Sequence, residues 1–148
     1  MIDDFRDMLR ELVAARVEFL IVGAHALSVH GVPRATGDLD VWIRAEPENA
    51  KRIMKALISF GAPVDDLAIG VEDFVRADVV AQIGLPPYRI DLLTSISGVD
   101  FDAAWAERAE GEIAGVLVPV IGRRSFVLNK RASGRKKDVA DLESLGED

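Results

Sequence analysis

The stretch Gly37-Asp38-Leu39-Asp40-Val41-Trp42-Ile43 places two acids one position apart inside an otherwise apolar run. Side chains on a strand alternate faces with period 2, so Asp38 and Asp40 share one face and Leu39, Val41 and Ile43 take the other. In a medium of effective dielectric about 20, two carboxylates about 4 Å apart repel by about 4 kcal/mol. Either water at a solvent-facing strand end or a bound cation relieves that cost, and the spacing alone leaves both readings open.

Working outward, residues 19–22 form a short continuous apolar run, as in a strand buried on both faces, and it stops at Gly23. Residues 24–30 read as a short helix closed by Gly31 and Pro33, and 34–37 as the loop that leads into the acidic strand. Before them, Ile2, Phe5, Met8, Leu9, Leu12 and Val13 recur at helical spacing to about Arg16, with Asp3 and Asp4 in the first turn. After them, Pro47 opens a helix that stops at Gly61, and 62–76 holds no more than helical turns near 66–69 and 72–75. Residues 79–83 and 88–93 are expected to form a hairpin around Gly84-Leu85-Pro86-Pro87, and 112–121 a smaller one around Gly115. Helices are expected over 102–109, over 125–131 with Ser125 as cap, and over 136–145. The order predicts one α+β (mixed α/β) domain over 1–148, with a single mixed sheet flanked by helices and a C-terminal helical segment from about residue 125.

The chain's 148 residues, 49% hydrophobic and 29% charged, suffice for a buried core. With no cysteine, disulfides, thiolate chemistry and cysteine-ligated metals are excluded. The acidic start, Met1-Ile2-Asp3-Asp4, does not read as a secretory signal, and no apolar run reaches membrane-spanning length, so a soluble cytoplasmic protein with no membrane partner is expected. A net charge of −7 argues against general affinity for nucleic-acid backbone. That charge is uneven: residues 122–137 carry +7 and no acid, and the remainder carries −14. The basic segment reads either as a solvated helix face or as a surface that attracts phosphate.

Two positions bring chemistry near the acid pair. Gly23 stands where a buried strand opens into a helix, a junction at which a phosphate can approach the backbone. Asp91 lies on the strand 88–93, on the face opposite Ile90 and Leu92 and shared with Arg89. Should that strand neighbour the first, three carboxylates converge, the composition of a two-magnesium site that clamps nucleotide phosphates for in-line attack by a hydroxyl. A salt bridge from Asp91 to an arginine is the alternative. His25 and His30 are five apart, the wrong spacing for a helical metal pair, and Trp42 and Trp105 sit among apolar neighbours as core residues do.

Val22-Gly23-Ala24, then thirteen residues, then Asp38-Leu39-Asp40, with Asp91 later, resembles the nucleotidyltransferase superfamily of the DNA polymerase β type. Within it, Arg34-Ala35-Thr36-Gly37-Asp38-Leu39-Asp40 and the segment Lys130-Arg131-Ala132-Ser133-Gly134-Arg135-Lys136-Lys137-Asp138-Val139-Ala140-Asp141-Leu142 resemble the small prokaryotic branch related to AbiEii-type abortive-infection toxins. The resemblance implies a nucleotidyltransferase-type sheet and a nucleotidyl group passing from a nucleoside triphosphate to a hydroxyl of an RNA end, a protein or a small molecule, in a toxin–antitoxin or phage-defence setting with a cognate antitoxin. It implies Mg2+ or Mn2+ on Asp38, Asp40 and Asp91, with Asp91 alternatively activating the acceptor. Gly23, Ala24, Arg34, Thr36, Lys130 and Arg135 are implied at the nucleotide. Ala24 departs from the family's second small residue, usually Gly or Ser, and so removes a side-chain donor that Ser28, one helical turn on, is the candidate to replace. A non-catalytic partner that keeps the fold is the other function this pattern allows.

Overall fold

A computed structural model describes residues 2–85 and 87–147. The chain runs α1 (Ile2–Ala14), β1 (Phe19–Val22), α2 (Gly23–Val29), β2 (Asp38–Ile43), α3 (Pro47–Phe60), a 3-10 turn (Val71–Val75), β3 (Val80–Leu85), β4 (Tyr88–Leu93), α4 (Phe101–Ala106), β5 (Ala109–Ile113), β6 (Val116–Val120), α5 (Arg123–Ser133) and α6 (Lys136–Ser144). The six strands form one mixed sheet in the order β3-β4-β2-β1-β6-β5. β2 runs parallel to β4 and antiparallel to β1, and β1 runs parallel to β6, so β1 and β2 form the middle of the sheet. The continuous apolar run of β1 is buried at all four positions, as expected for a strand with neighbours on both edges and cover on both faces.

α1 and α3 pack on each other and bury Met8, Leu9, Leu12, Ile53 and Leu57 in the core. α3 carries the predicted signals: Pro47 in its first turn, and Gly61 closing it in the left-handed conformation with its N–H bonded back to Leu57 and Ile58. The buried Asn49 side chain accepts a hydrogen bond from Glu18 N at 2.7 Å and donates to Glu18 O at 3.0 Å and Arg44 O at 2.9 Å. It thereby satisfies the backbone just before β1 and just after β2, where the ladder between those strands ends. Trp42 is fully buried against Phe101, with ring centroids 5.0 Å apart, and Trp105 stacks beside the same phenylalanine, so both tryptophans serve packing.

Several boundaries differ from the sequence expectation, each for a physical reason. Gly84 and Leu85 extend β3 and pair with Arg89 and Tyr88, which tightens the turn; its Pro86 lies outside the described residues. α4 starts at Phe101, capped by Asp100, and ends at Ala106, because Ala109 already pairs with Val120 in the β5–β6 hairpin. Ser125 is not the cap of α5, which begins at Arg123 after Gly122. A residue distant in sequence takes that role: the Glu107 carboxylate accepts from Ser125 N at 3.0 Å and from the Ser125 hydroxyl. No helix among the described residues is long and apolar enough to cross a membrane.

Candidate active site

The parallel β2–β4 pairing sets Asp38 opposite Arg89 and Asp40 opposite Asp91. Residues opposite each other in register point to one face, so the three carboxylates and Arg89 share it, as the period-2 reading requires. Asp91 is 7% exposed, and the Arg89 guanidinium holds it bidentately, Nε to Oδ1 at 2.9 Å and Nη2 to Oδ2 at 3.1 Å. The same guanidinium stands 3.7 Å from the half-exposed Asp38. Among the described residues Asp40 has no such partner. Burial, then the charges of Asp91 and Asp38, push its pKa up to about 6 against the pull of Lys137 and Lys130. The repulsion anticipated between the acids is therefore concentrated on Asp40.

Gly23 faces the same carboxylate. Its φ of +71° is one that L side chains rarely adopt, and a Cβ there would overlap Asp40 Oδ2. Glycine is thus required twice, by the turn from strand to helix and by the close approach of Asp40 to the backbone. A cleft of about 580 Å3 joins Gly23, Asp40 and Asp91 to Lys130, Arg135 and Lys137. One wall is acidic and the other basic. The basic wall is itself held by buried acids of α6: Lys130 Nζ lies 3.3 Å from Asp138 and 3.5 Å from Asp141, and Arg135 Nε donates to Asp138 at 3.0 Å. Burial pushes Asp138 up, but hydrogen bonds from the Arg135 side chain and backbone and from Lys130 outweigh it and hold the carboxyl below the ordinary carboxylate range.

Of the residues expected at the site, Gly23, Asp40, Asp91, Lys130 and Arg135 line one cleft, and Asp38 stands beside it, 3.7 Å from the Arg89 guanidinium. Arg34 and Thr36 are not at the cleft; they line a second cavity. Arg34 pairs with Asp141 and thereby ties the two halves of the sequence pattern to each other, and Thr36 Oγ1 accepts from Asp38 N at 3.0 Å. Ser28 also lines the second cavity and accepts from Arg34 N, so it does not replace the donor lost at Ala24. His30 donates to Ile121 O at 2.7 Å, a structural role. Sequence reasoning missed Lys137, Ser95 and Asn129 on the cleft wall. The only signal for Lys137 was its membership of the basic run, which does not say which lysine of the pair 136–137 points inward. Among the described residues no three His, Cys, Asp or Glu side chains stand grouped so as to hold a metal ion, and both oxygens of Asp91 are engaged by Arg89.

Comparison of the structure with solved ones finds LnuA, a lincosamide antibiotic adenylyltransferase in its lincomycin-bound form, with a TM-score of 0.60 at 12% identity over 97% of this chain and 95% of that one. A protein from Thermotoga maritima described as a nucleotidyltransferase aligns with a TM-score of 0.57 at 16% identity over 96% of this chain and 88% of its own. The fold is that of the nucleotidyltransferases. By sequence, no family model and no curated protein matches the chain. The nucleotidyltransferase fold spans almost the whole chain in both alignments, so the cleft lies within that fold and not in an appendage to it.

Proposed function

We propose that this protein transfers a nucleotidyl group from a nucleoside triphosphate to a hydroxyl acceptor, with Mg2+ or Mn2+ held by Asp38, Asp40 and Asp91. The observation that carries the proposal is the carboxylate of Asp40, its pKa raised by burial and by its acidic neighbours, pressed against the bare backbone of Gly23 and sharing one cleft with Lys130, Arg135 and Lys137. Carboxylate oxygens are the donor set that hard divalent cations prefer, and a second cation beside Asp40 relieves the repulsion that raises its pKa. The residues fit on one condition: Arg89 must release at least one oxygen of Asp91. When bound, the metal neutralises phosphate charge and activates the attacking oxygen.

The chain's own groups then have distinct tasks. Gly23, lacking a side chain, leaves room for the β- and γ-phosphates beside the backbone. Lys130 donates to Asp138 and pairs with Asp141, so Lys137 and the unused N–H groups of Arg135 are the principal phosphate contacts. The two sequence pieces shared with the AbiEii-type branch support a toxin–antitoxin or phage-defence setting, with a cognate antitoxin as partner.

Calorimetry of the wild-type protein with ATP, CTP, GTP and UTP in the presence of Mn2+ tests this. At least one nucleotide is expected to bind, and binding is expected to vanish in Asp38→Asn/Asp40→Asn; no binding, or binding unchanged in the double variant, refutes it. Ala24, which offers no hydroxyl, and the Arg89 latch on Asp91 favour a second reading, a non-catalytic nucleotide-binding partner. Nucleotide binding without transfer of label to RNA, protein or small molecules in a lysate selects that reading.

A further inference from the structure

A second cavity, of about 540 Å3, opens at the end of the sheet where β1 stops and β2 and β4 start. Phe5 meets His25 edge-to-face at 5.7 Å and Tyr88 at 6.2 Å, which gives the cavity an aromatic wall; Val29 and Ile113 add aliphatic surface. His25 Nε2 is buried with no hydrogen-bond partner among the described residues, and burial pushes its pKa down, so the imidazole is neutral at pH 7.

Three segments run from this cavity to the acidic cleft. α2 leads from His25 back to Gly23, the strand of the acid pair leads from Thr36 through Asp38 to Asp40, and β4 leads from Tyr88 to Asp91. Asp38 therefore stands between the two cavities, with Asp40 and Asp91 on the cleft side. Phosphoryl transfer needs the attacking and leaving oxygens roughly in line. With Lys130, Arg135 and Lys137 holding the leaving phosphates, the acceptor oxygen must arrive by another route to the acids, and the second cavity opens two residues before Asp38 on one strand and next to Arg89 on the other.

We propose that this cavity is the acceptor site and takes a small ring-bearing alcohol without negative charge, an inference that rests on the nucleotidyl-transfer reading. The volume lies in the range of small-molecule sites and the apolar and aromatic lining suits a ring. The charges disfavour a nucleic-acid end: Arg34 is neutralised by Asp141, Glu112 stands exposed on the wall, and the chain carries −7 overall. In the transfer, the acceptor oxygen bonds to the α-phosphorus while the bond from that phosphorus to the oxygen bridging to the β-phosphorus breaks. Pyrophosphate leaves with the electron pair, and the hydroxyl proton is released to water.

The test uses 2-phenylethanol, tyramine and, as the anionic match, phenylacetate, followed by the methyl NMR signals of Val29 and Ile113. Both alcohols are expected to shift these signals at millimolar concentration, and phenylacetate at least tenfold more weakly. Ala35→Trp, at an exposed loop position on the cavity wall, is expected to weaken both alcohols at least tenfold and to leave nucleotide–Mn2+ affinity within twofold by calorimetry. Glu112→Gln is expected to weaken tyramine and spare 2-phenylethanol. The assignment is overturned when neither alcohol shifts the methyls, when phenylacetate binds as well as they do, or when an oligoribonucleotide with a free 3′ hydroxyl shifts the same signals. Absence of nucleotide binding to the wild type overturns the transfer reading by itself, whereas intact nucleotide binding with no alcohol response overturns the acceptor assignment alone.

Discussion

Replacing Asp40 by asparagine is expected to stabilise the fold while it abolishes metal-dependent nucleotide binding. The folded-state pKa of Asp40 is about 6 against an ordinary 3.8, raised by burial and then by Asp91 and Asp38. For a carboxyl whose pKa is raised by folding, the associated stability is fully present below the unfolded value and is lost as pH rises through the folded one. At pH 7.5 the ionised Asp40 therefore weakens the fold by about 3 kcal/mol relative to its neutral form, at about 1.4 kcal/mol per pH unit. Asparagine has nearly the same shape and no charge, so Asp40→Asn recovers up to that amount, roughly 6–12 °C in Tm for a chain of this size. The gain halves near pH 5, falls to about a fifth at pH 4 and disappears well below 3.8, where the wild-type carboxyl is protonated in both states. Urea melts of both proteins at pH 7.5, 5 and 4 measure this directly. A variant less stable than wild type at pH 7.5, or a gain independent of pH, refutes the electrostatic account and assigns Asp40 a packing or hydrogen-bonding role.

Three further perturbations probe the surroundings of that carboxylate. Gly23→Ala combines a left-handed backbone with an overlap on Asp40, so a loss of about 2–4 kcal/mol is expected; Gly23→Ala/Asp40→Ala should return at least about 1 kcal/mol of it, and additive losses in thermal melts contradict the contact. Lys130→Met leaves Asp138 and Asp141 short of one cation and is expected to cost about 3 kcal/mol by urea unfolding at any salt concentration up to about 0.5 M, whereas a cost that vanishes in salt marks a surface pair. Because Asp138 is held below the ordinary 3.8 in the fold, its contribution is present at neutral pH and is lost as pH falls through and below that value; Asp138→Asn should flatten the acid limb of the stability profile.

Which parts of this arrangement were legible in the sequence follows the range of the interactions involved. The common face of Asp38 and Asp40 depends only on strand periodicity and was readable directly. The position of Asp91 was readable as a face but not as a neighbour, since a β3–β4 hairpin can dock on β2 by either strand, and only the observed parallel pairing sets Asp91 opposite Asp40. The Ser125 cap failed for the converse reason: local chemistry favours serine, yet the first turn of α5 is satisfied by Glu107 from the end of α4. Arg34 and Thr36 are close to the acid pair in sequence but line the second cavity, because the loop before β2 borders that cavity while the strand that follows carries Asp40 into the cleft.

The basic run shows how one compositional signal divides into two physical roles. Lys130 and Arg135 face Asp138 and Asp141, three positions apart and hence on one side of α6, and Arg34 reaches the same Asp141 from the loop before β2. Three cations thus meet around two buried carboxylates. Burying them is costly, and apolar residues of similar volume could hold two helices together as well. What an apolar contact would not specify is the orientation of the α5–α6 pair over the sheet. Each guanidinium and ammonium accepts only certain directions, so the network fixes which residues of the run turn toward the acids, and Lys137, beyond it on the cleft wall, acts on Asp40 from a set position. Arg34 and Asp141 therefore bear on the cleft without lining it, and their place in two separate halves of the sequence pattern is explained by a contact between them, with no direct role in the chemistry required of either.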